Sequence, residues 1–548
     1  MQISTITRAA FYGRESLIVF LVTVVTGLSA AFVLYSLDRF SLLYYADAVS
    51  HLVRSREFVD AINPGLFEQL GTVWLPLPHL LLLPFTLIEP LFRTGFAGVA
   101  LNVPCLAFTA VFLYKIIKNH LSIGYIAIIG ALLFVTNPNI LYLAVTPMTE
   151  APFMLFFVGA AYFFMRWMSG TKEYPSLNST NEGGQGSRVI FNLVMCSTFI
   201  SLATLCRYEG WLLPLFLVSF VVLTTIRTQP YYHSKKYKLG IILTSTFSFS
   251  GIALWLIWNA YAYNDPLEFT NAPYFSAAAQ ALEGANREFL YLQPWNVASL
   301  YGITALAIFG PILLAAAVIG YLFHRYLGKI QEREKRRNLY LFLALPPIFT
   351  IITLIIGIGE MNQKEWFNSR FVILLAPLIV SLCCTFLVKL LGVFKKNRYF
   401  FAATIFMFFA YQLLTPALGV VTFLNANYQY DEGRPFQIQA AEALATSYDG
   451  SSNIVIITGS SQQNMIMHAS GIPLRQFDQI LESGSYKASF KEPWIYSKYI
   501  VLSKNPDASA YNVTHYWLDR QPLLDKYFDT IYQDKYYMVM ALSDDVLK

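Results

Sequence analysis

Charge is scarce in this sequence. Asp, Glu, Lys and Arg supply 13% of its 548 residues, hydrophobic residues supply 56%, and the mean hydropathy is +0.48. A soluble globular chain carries about 25% charged residues, so the composition excludes that class and predicts a polytopic membrane protein. The net charge of +6 is small for this length and is spread over short loops. It argues for orientation in a bilayer and excludes nucleic acid as a partner. Cysteine is scarce as well. Cys105, Cys196, Cys206, Cys383 and Cys384 lie in or beside apolar runs, and the polar C-terminal stretch has none. No spacing resembles a metal knuckle, which leaves zinc and redox chemistry without support. A Gly-x-Gly-x-x-Gly pattern is missing too, so TGSS after the apolar NIVII reads as a turn and not as a nucleotide site. The first apolar run, 16–37, has no small-residue cleavage site. It is expected to be a retained helix and not a cleaved signal peptide.

What the chain does have is apolar runs. At the usual length of about 20 residues, they predict about eleven spans: 16–37, 97–117, 121–136, 150–168, 189–206, 211–226, 239–261, 299–323, 339–358, 371–391 and 399–421. The Pro- and Leu-rich run 76–92 is short for a span, and Pro76 and Pro78 set its start. If it lies in the interface, every basic cluster falls on one side: Arg8 and Arg14, Lys115 and Lys118, Arg166 to Arg188, 233–238, 329–337 and 395–398. The positive-inside rule makes that side cytoplasmic, with the N-terminus. Loops 37–79, 137–149, 207–210, 262–298 and 359–370, and everything after 422, then face outward. That predicts two domains, 1–424 in the membrane and 425–548 outside it. In the second, NIVIITGSS and KYIVLSK read as strands, YFDTIYQDKYYMVMAL as two strands about a polar turn, and 435–447 and 511–526 as helical. The fold class is a polytopic α-helical membrane protein with a small α/β extracytoplasmic domain. Asn178 and Asn512 head glycosylation sequons, of which only Asn512 is on the outer side.

The outer loops hold the candidate chemistry. Asp47, His51 and Arg54 recur at helical spacing and share one face of a helix. This is either a catalytic loop at the membrane surface or an interfacial helix turned to water. Glu150 follows Pro147 and the capping Thr149, and a helix N-terminus favours an ionised carboxylate. Two carboxylates at one level suit a base for an acceptor hydroxyl or amine and a group that orients the acceptor or holds a divalent cation such as Mg or Mn. Arg207 and Arg370, with Lys364, are cations at outer helix ends, suited to a phosphate. Their alternative is pairing with Glu209, Glu360 or Glu365. His79 is either a contact to phosphate or acceptor or a satisfied interfacial histidine, and Trp74 is an interface anchor. Tyr274, Arg287 and Trp295, in the long loop, are plausible substrate contacts.

This order of words resembles the GT-C glycosyltransferases, in particular the family 39-like group that includes protein O-mannosyltransferases and bacterial aminoarabinose transferases. Asp47 in YYADAVSH stands at that family's first acidic position, WLPLPHLL (74–81) at its Pro-rich interfacial helix, Glu150 in PMTEAP at its second acid, and Arg370 in NSRF at its late Arg-aromatic pair. The resemblance covers most of 1–424. Ala48 replaces the family's frequent second acid after the first. Gly71-Thr72-Val73-Trp74 replaces its Glu or Lys before the Pro-rich helix, where Glu68 is the nearby substitute. Metal dependence therefore stays open. The resemblance implies transfer of a sugar from a polyprenyl-phosphate donor to a protein, lipid or glycan acceptor at the outer face. Asp47 would be the base, and Arg370, with Arg207 and Lys364, would hold the leaving phosphate. The apolar groove between the spans and the interfacial helix would hold the isoprenoid tail, with membrane lipids around it. Two other classes remain. A secondary transporter predicts charges buried mid-span and inverted repeats, and no repeat is seen. A non-catalytic scaffold subunit of a glycan pathway would carry the same composition, and only the outer carboxylate pair speaks against it.

Overall fold

The computed structural model describes residues 3–172, 182–227, 235–271, 287–326, 330–356, 369–393, 398–431, 433–457, 460–478, 490–504 and 513–544. Among them, eight helices are long and apolar enough to cross a bilayer: Gly13–Leu37, Phe96–Leu121, Glu150–Gly170, Leu239–Tyr263, Pro294–Phe323, Glu332–Ile355, Ser369–Gly392 and Tyr399–Tyr428. A ninth apolar segment is a bent pair, Gly124–Val135 followed by Pro138–Ala144 at an angle of 66°, long enough to cross if the two halves act as one span. Asn137 makes the break: its side chain accepts the N–H groups of Asn139 and Ile140 and caps the second half. Pro138 has no N–H with which to continue the first half. Two further apolar helices, Arg188–Thr204 and Tyr208–Thr224, are slightly shorter. Counted with the rest, they give the eleven expected segments. The Pro-rich helix Leu77–Thr86 has 10 residues, about 15 Å at 1.5 Å per residue, against a hydrocarbon core of about 30 Å. It does not cross. The chain is a multi-pass integral membrane protein.

The helix Phe96–Leu121 orders the two ends of the bundle. At its start, Gly95 is in the left-handed region (φ +79°) and abuts Leu42 and Leu43, while Gly98 lies against Pro147. A Cβ at Gly98 would come within 2.5 Å of the Pro147 backbone, so this close approach requires glycine. At its other end, Lys118 bonds Glu15, and His120 meets Tyr340 at 3.1 Å. The loop before Asp47 and the turn before Glu150 therefore share one end, and the basic segments around Lys118 and Arg336 share the other.

The C-terminal part is built on a five-stranded sheet of order β2-β1-β3-β5-β4, with β1 Ile454–Ile457, β2 Phe477–Asp478, β3 Tyr499–Ser503, β4 Phe528–Gln533 and β5 Tyr537–Leu542. β1 runs parallel to β2 and β3, and β5 is antiparallel to β3 and β4. β1 and β3 are buried throughout, as continuous apolar runs covered on both faces must be. On one face Val455, Ile457, Ile500 and Leu502 pack on Trp517 and Phe528. On the other, Ile454, Ile456 and Val501 share a core with Met465 and Ile466, and also with Val49, Leu52 and Val53. The latter three belong to the helix Ala46–Glu57 that carries Asp47. The two-residue β2 has no strand signal in the sequence. The helix expected over 511–526 is two pieces, Val513–Leu518 and Gln521–Leu524, because Pro522 starts a new helix instead of continuing the old one.

Candidate active site

The helix Ala46–Glu57 begins after an extended Tyr45 and carries Asp47 in its first turn. The Asp47 carboxylate accepts Nη1 of Arg370 at 2.7 Å. Arg370 comes from the 3-10 turn Ser369–Leu375, and its Nε lies 3.7 Å from Oε1 of Glu150. Glu150 opens the helix Glu150–Lys172 and is 1% exposed. Its placement depends on the preceding turn: Nδ2 of Asn102 donates to the carbonyls of Thr146 (2.6 Å) and Met148 (2.8 Å), beside the Gly98–Pro147 contact. Oε1 of Glu150 also accepts Nη1 of Arg207 at 2.7 Å, and that nitrogen reaches Oγ1 of Thr149 at 3.0 Å. Nη2 of Arg207 goes to Glu209 at 2.7 Å. Both guanidiniums lie over the ring of Phe371, at 5.1 and 5.3 Å. The result is an alternating chain, Asp47–Arg370–Glu150–Arg207–Glu209. Burial is tolerable because each cation has a carboxylate on either side.

The structure shows the pairing alternative for the arginines, but two of the carboxylates are the candidate catalytic ones. The remaining oxygen of Glu150, Oε2, is buried and accepts no hydrogen bond among the described residues.

His51 and His79 form a second unit one turn along. Nδ1 of His51 and Nε2 of His79 are 2.9 Å apart. A small cavity has these imidazoles on one side and Pro147, Met148 and Thr149 on the other. Trp74, expected as an interface anchor, is instead packed on this pair, with its ring 4.7 Å from His51 and 5.8 Å from His79. Burial, with Arg370 and Arg207 adding repulsion, pushes His51 down to about 3. Burial also holds His79 well below the usual imidazole range, helped by His51 and Arg54, while a bond to the Leu75 backbone opposes it. Both rings are therefore neutral. With His79 donating to Leu75, His51 must donate from Nδ1 to His79, which leaves Nε2 of His51 as an acceptor. The pair can bind by hydrogen bonds and not as a cation.

A pH signature follows. The unfolded imidazoles take up protons near 6.5 and the folded ones do not, so stability is full above that value. It falls as pH drops from 6.5 toward 3, by up to about 1.4 kcal/mol per pH unit per ring. Melting curves of the purified protein should be level above pH 7 and decline below pH 6, with His51→Asn reducing the slope. A flat profile down to pH 5 would show that the rings are not buried as neutral groups.

Other candidates lie apart. Arg54 pairs with Glu57 at 3.1 Å and with Gln69 at 3.2 Å, on the same helix face as Asp47 but further along. Glu68 is exposed and does not take the place of an acid in the site. Trp295 is 83% exposed and joins nothing in the site. Arg287 opens the short helix Arg287–Leu290. Lys364, Tyr274, Glu360, Glu365, Asn178 and Asn512 lie outside the described residues. Asn102 and Arg434 were not foreseen. Asn102 had a signal, an amide in the middle of an apolar run; Arg434, which reaches Leu43 from the C-terminal part, had none.

The residues do not form a ligand set for a divalent cation. No group of three His, Cys, Asp or Glu side chains converges among the described residues. Arg370 stands between Asp47 and Glu150 and pairs with both carboxylates.

No family model matches the sequence, and no curated protein does. Solved structures share its shape over nearly its whole length. Apo ArnT from Cupriavidus metallidurans aligns over 99% of both chains with a TM-score of 0.51 at 13% identity. The apo oligosaccharyltransferase from Archaeoglobus fulgidus aligns over 96% of this chain and 74% of its own, with a TM-score of 0.50 at 12% identity. The chain shares the fold of these two solved structures, which is the kind of fold the short motifs predict.

Proposed function

We propose that this protein is a membrane glycosyltransferase that moves a sugar from a polyprenyl-phosphate donor to a protein, lipid or glycan acceptor at the extracytoplasmic face. The observation that carries the reading is the chain Asp47–Arg370–Glu150–Arg207, assembled at one end of the bundle from four separate stretches of sequence. In the transfer, an acceptor oxygen or nitrogen attacks the anomeric carbon as the bond from that carbon to the phosphate oxygen breaks. Asp47 takes the acceptor proton. Arg370 and Arg207 meet the charge that develops on the departing lipid phosphate. The open oxygen of Glu150 and Nε2 of His51 orient the acceptor. Arg370 holds Asp47 while the site is empty, so an arriving phosphate competes for the arginine and frees the base. No cation is needed in this sequence of events. The basic segments at the opposite end of the bundle support a cytoplasmic N-terminus, with the site and the C-terminal unit outside.

The test is transfer of radiolabelled sugar from a panel of polyprenyl-phosphate sugars by purified protein in native lipid extract, with and without chelator. Transfer that persists in chelator is expected. Folded protein that binds the lipid phosphates but transfers from none of them would support the scaffold class instead.

A further inference from the structure

We propose that Arg434 is a positioning residue for Asp47, through which the C-terminal α/β unit completes the active site. The inference rests on Asp47 being the base of the transfer proposed above. Arg434 begins the helix Arg434–Ser447 and is 3% exposed. Its Nη1 donates to the carbonyl of Leu43 at 2.9 Å and lies 3.7 Å from Sδ of Met465. Leu43 ends the 3-10 turn Ser41–Leu43, which leads through Tyr44 and Tyr45 into the helix of Asp47. The same turn is held from the membrane part by Tyr142, whose hydroxyl donates to Ser41 (3.0 Å), and Tyr45 itself donates to Thr422 (2.8 Å). The backbone that delivers Asp47 is thus gripped from two sides, and Arg434 supplies the grip from the C-terminal unit.

The choice of arginine needs explaining. Nη2 of Arg434 is buried and makes no hydrogen bond, and no carboxylate pairs with this guanidinium among the described residues. A buried cation without a partner is costly, and a neutral amide would serve the Leu43 carbonyl. The charge has a use nearby. Burial pushes Arg434 down to about 10, with Tyr430, Tyr537 and Asp47 acting in the opposite direction, so it remains a cation at neutral pH within the field of Asp47. When a donor phosphate draws Arg370 away, the positive charge of Arg434 remains in the field of Asp47.

The rest of the interface fits a socket for this helix. Asn464 donates to Oγ of Ser50 at 2.9 Å, one turn past Asp47. Asp60, just beyond the helix, accepts the Leu474 N–H and Nη1 of Arg475. Val49, Leu52 and Val53 are buried against the C-terminal core. One face of the helix is fixed by the C-terminal unit while the other presents Asp47 and His51 to the spans.

The experiment is steady-state transfer by full-length Arg434→Met, Arg434→Gln and Arg434→Lys, with hydrogen exchange on the same samples. Arg434→Met should lower kcat about 10- to 100-fold, the effect of a misplaced catalytic group, with the donor KM little changed. Arg434→Gln should fall nearly as far, and Arg434→Lys should recover most of the rate. Amides 46–50 should exchange faster in the Met variant while those of β1 and β3 stay protected. If the Met variant loses the protection of the sheet, the Gln and Lys variants carry the comparison. A kcat that survives in every variant with unchanged exchange at 46–50 would overturn the inference, as would an effect confined to donor KM. A wild type that transfers no sugar defeats the reading of the site itself; a transferring wild type whose variants keep kcat defeats only the role of Arg434.

Discussion

Asp47→Asn is expected to lower sugar transfer by about 10³-fold, within the range of about 10²–10⁴ that a positioned general base supplies. The amide has the shape of the carboxylate but cannot take the acceptor proton. It also releases Arg370, which now spends its Nη1 on Asp47. The donor KM should therefore hold or fall even as kcat collapses. This split separates loss of the base from general damage, which would raise KM and lower kcat together. Because Asp47 is part-exposed, the loss of its ion pair should cost less stability than removal of a deeper member of the chain. Initial rates at varied donor concentration give the answer, and a rate within tenfold of wild type would remove Asp47 from the mechanism.

Arg370→Ala should damage both activity and stability. Activity should drop about 10²- to 10³-fold, as for loss of one donor to a developing anion. Stability should drop by about 3–5 kcal/mol, the cost of breaking a buried ion pair, because Asp47 would lose its ion pair and Glu150 would keep only the one to Arg207. Arg370→Lys should rescue little: an ammonium is a point charge and cannot span two carboxylates while lying flat on Phe371. Inhibition by free polyprenyl phosphate, the expected product, should weaken in both variants. Rates, melting curves and product inhibition together test this, and full transfer by Arg370→Ala would sink the phosphate role.

The sequence alone determined the membrane class, the segments of the bundle, the non-crossing Pro-rich helix and most of the C-terminal strands. Each is a local property. Transfer of a 20-residue run into lipid, a proline at a helix start and an apolar strand between turn residues are decided by free energies that neighbouring residues carry. The same locality let Asp47, Glu150, Arg207 and Arg370 be picked out, because charges at the ends of apolar helices are conspicuous against a chain with so few. Which charge meets which was not legible. Beyond Arg207–Glu209, two residues apart and an expected pair, the Asp47–Arg370–Glu150–Arg207 order, the His51–His79 pair with Trp74 against it, Arg207 on Phe371, and the reach of Arg434 to Leu43 join residues far apart in the chain. No period or spacing encodes them. Only tertiary packing decided these pairings, because a buried charge is stable only where the fold brings its partner to it, and that partner is set by how helices and sheet pack around one end of the bundle.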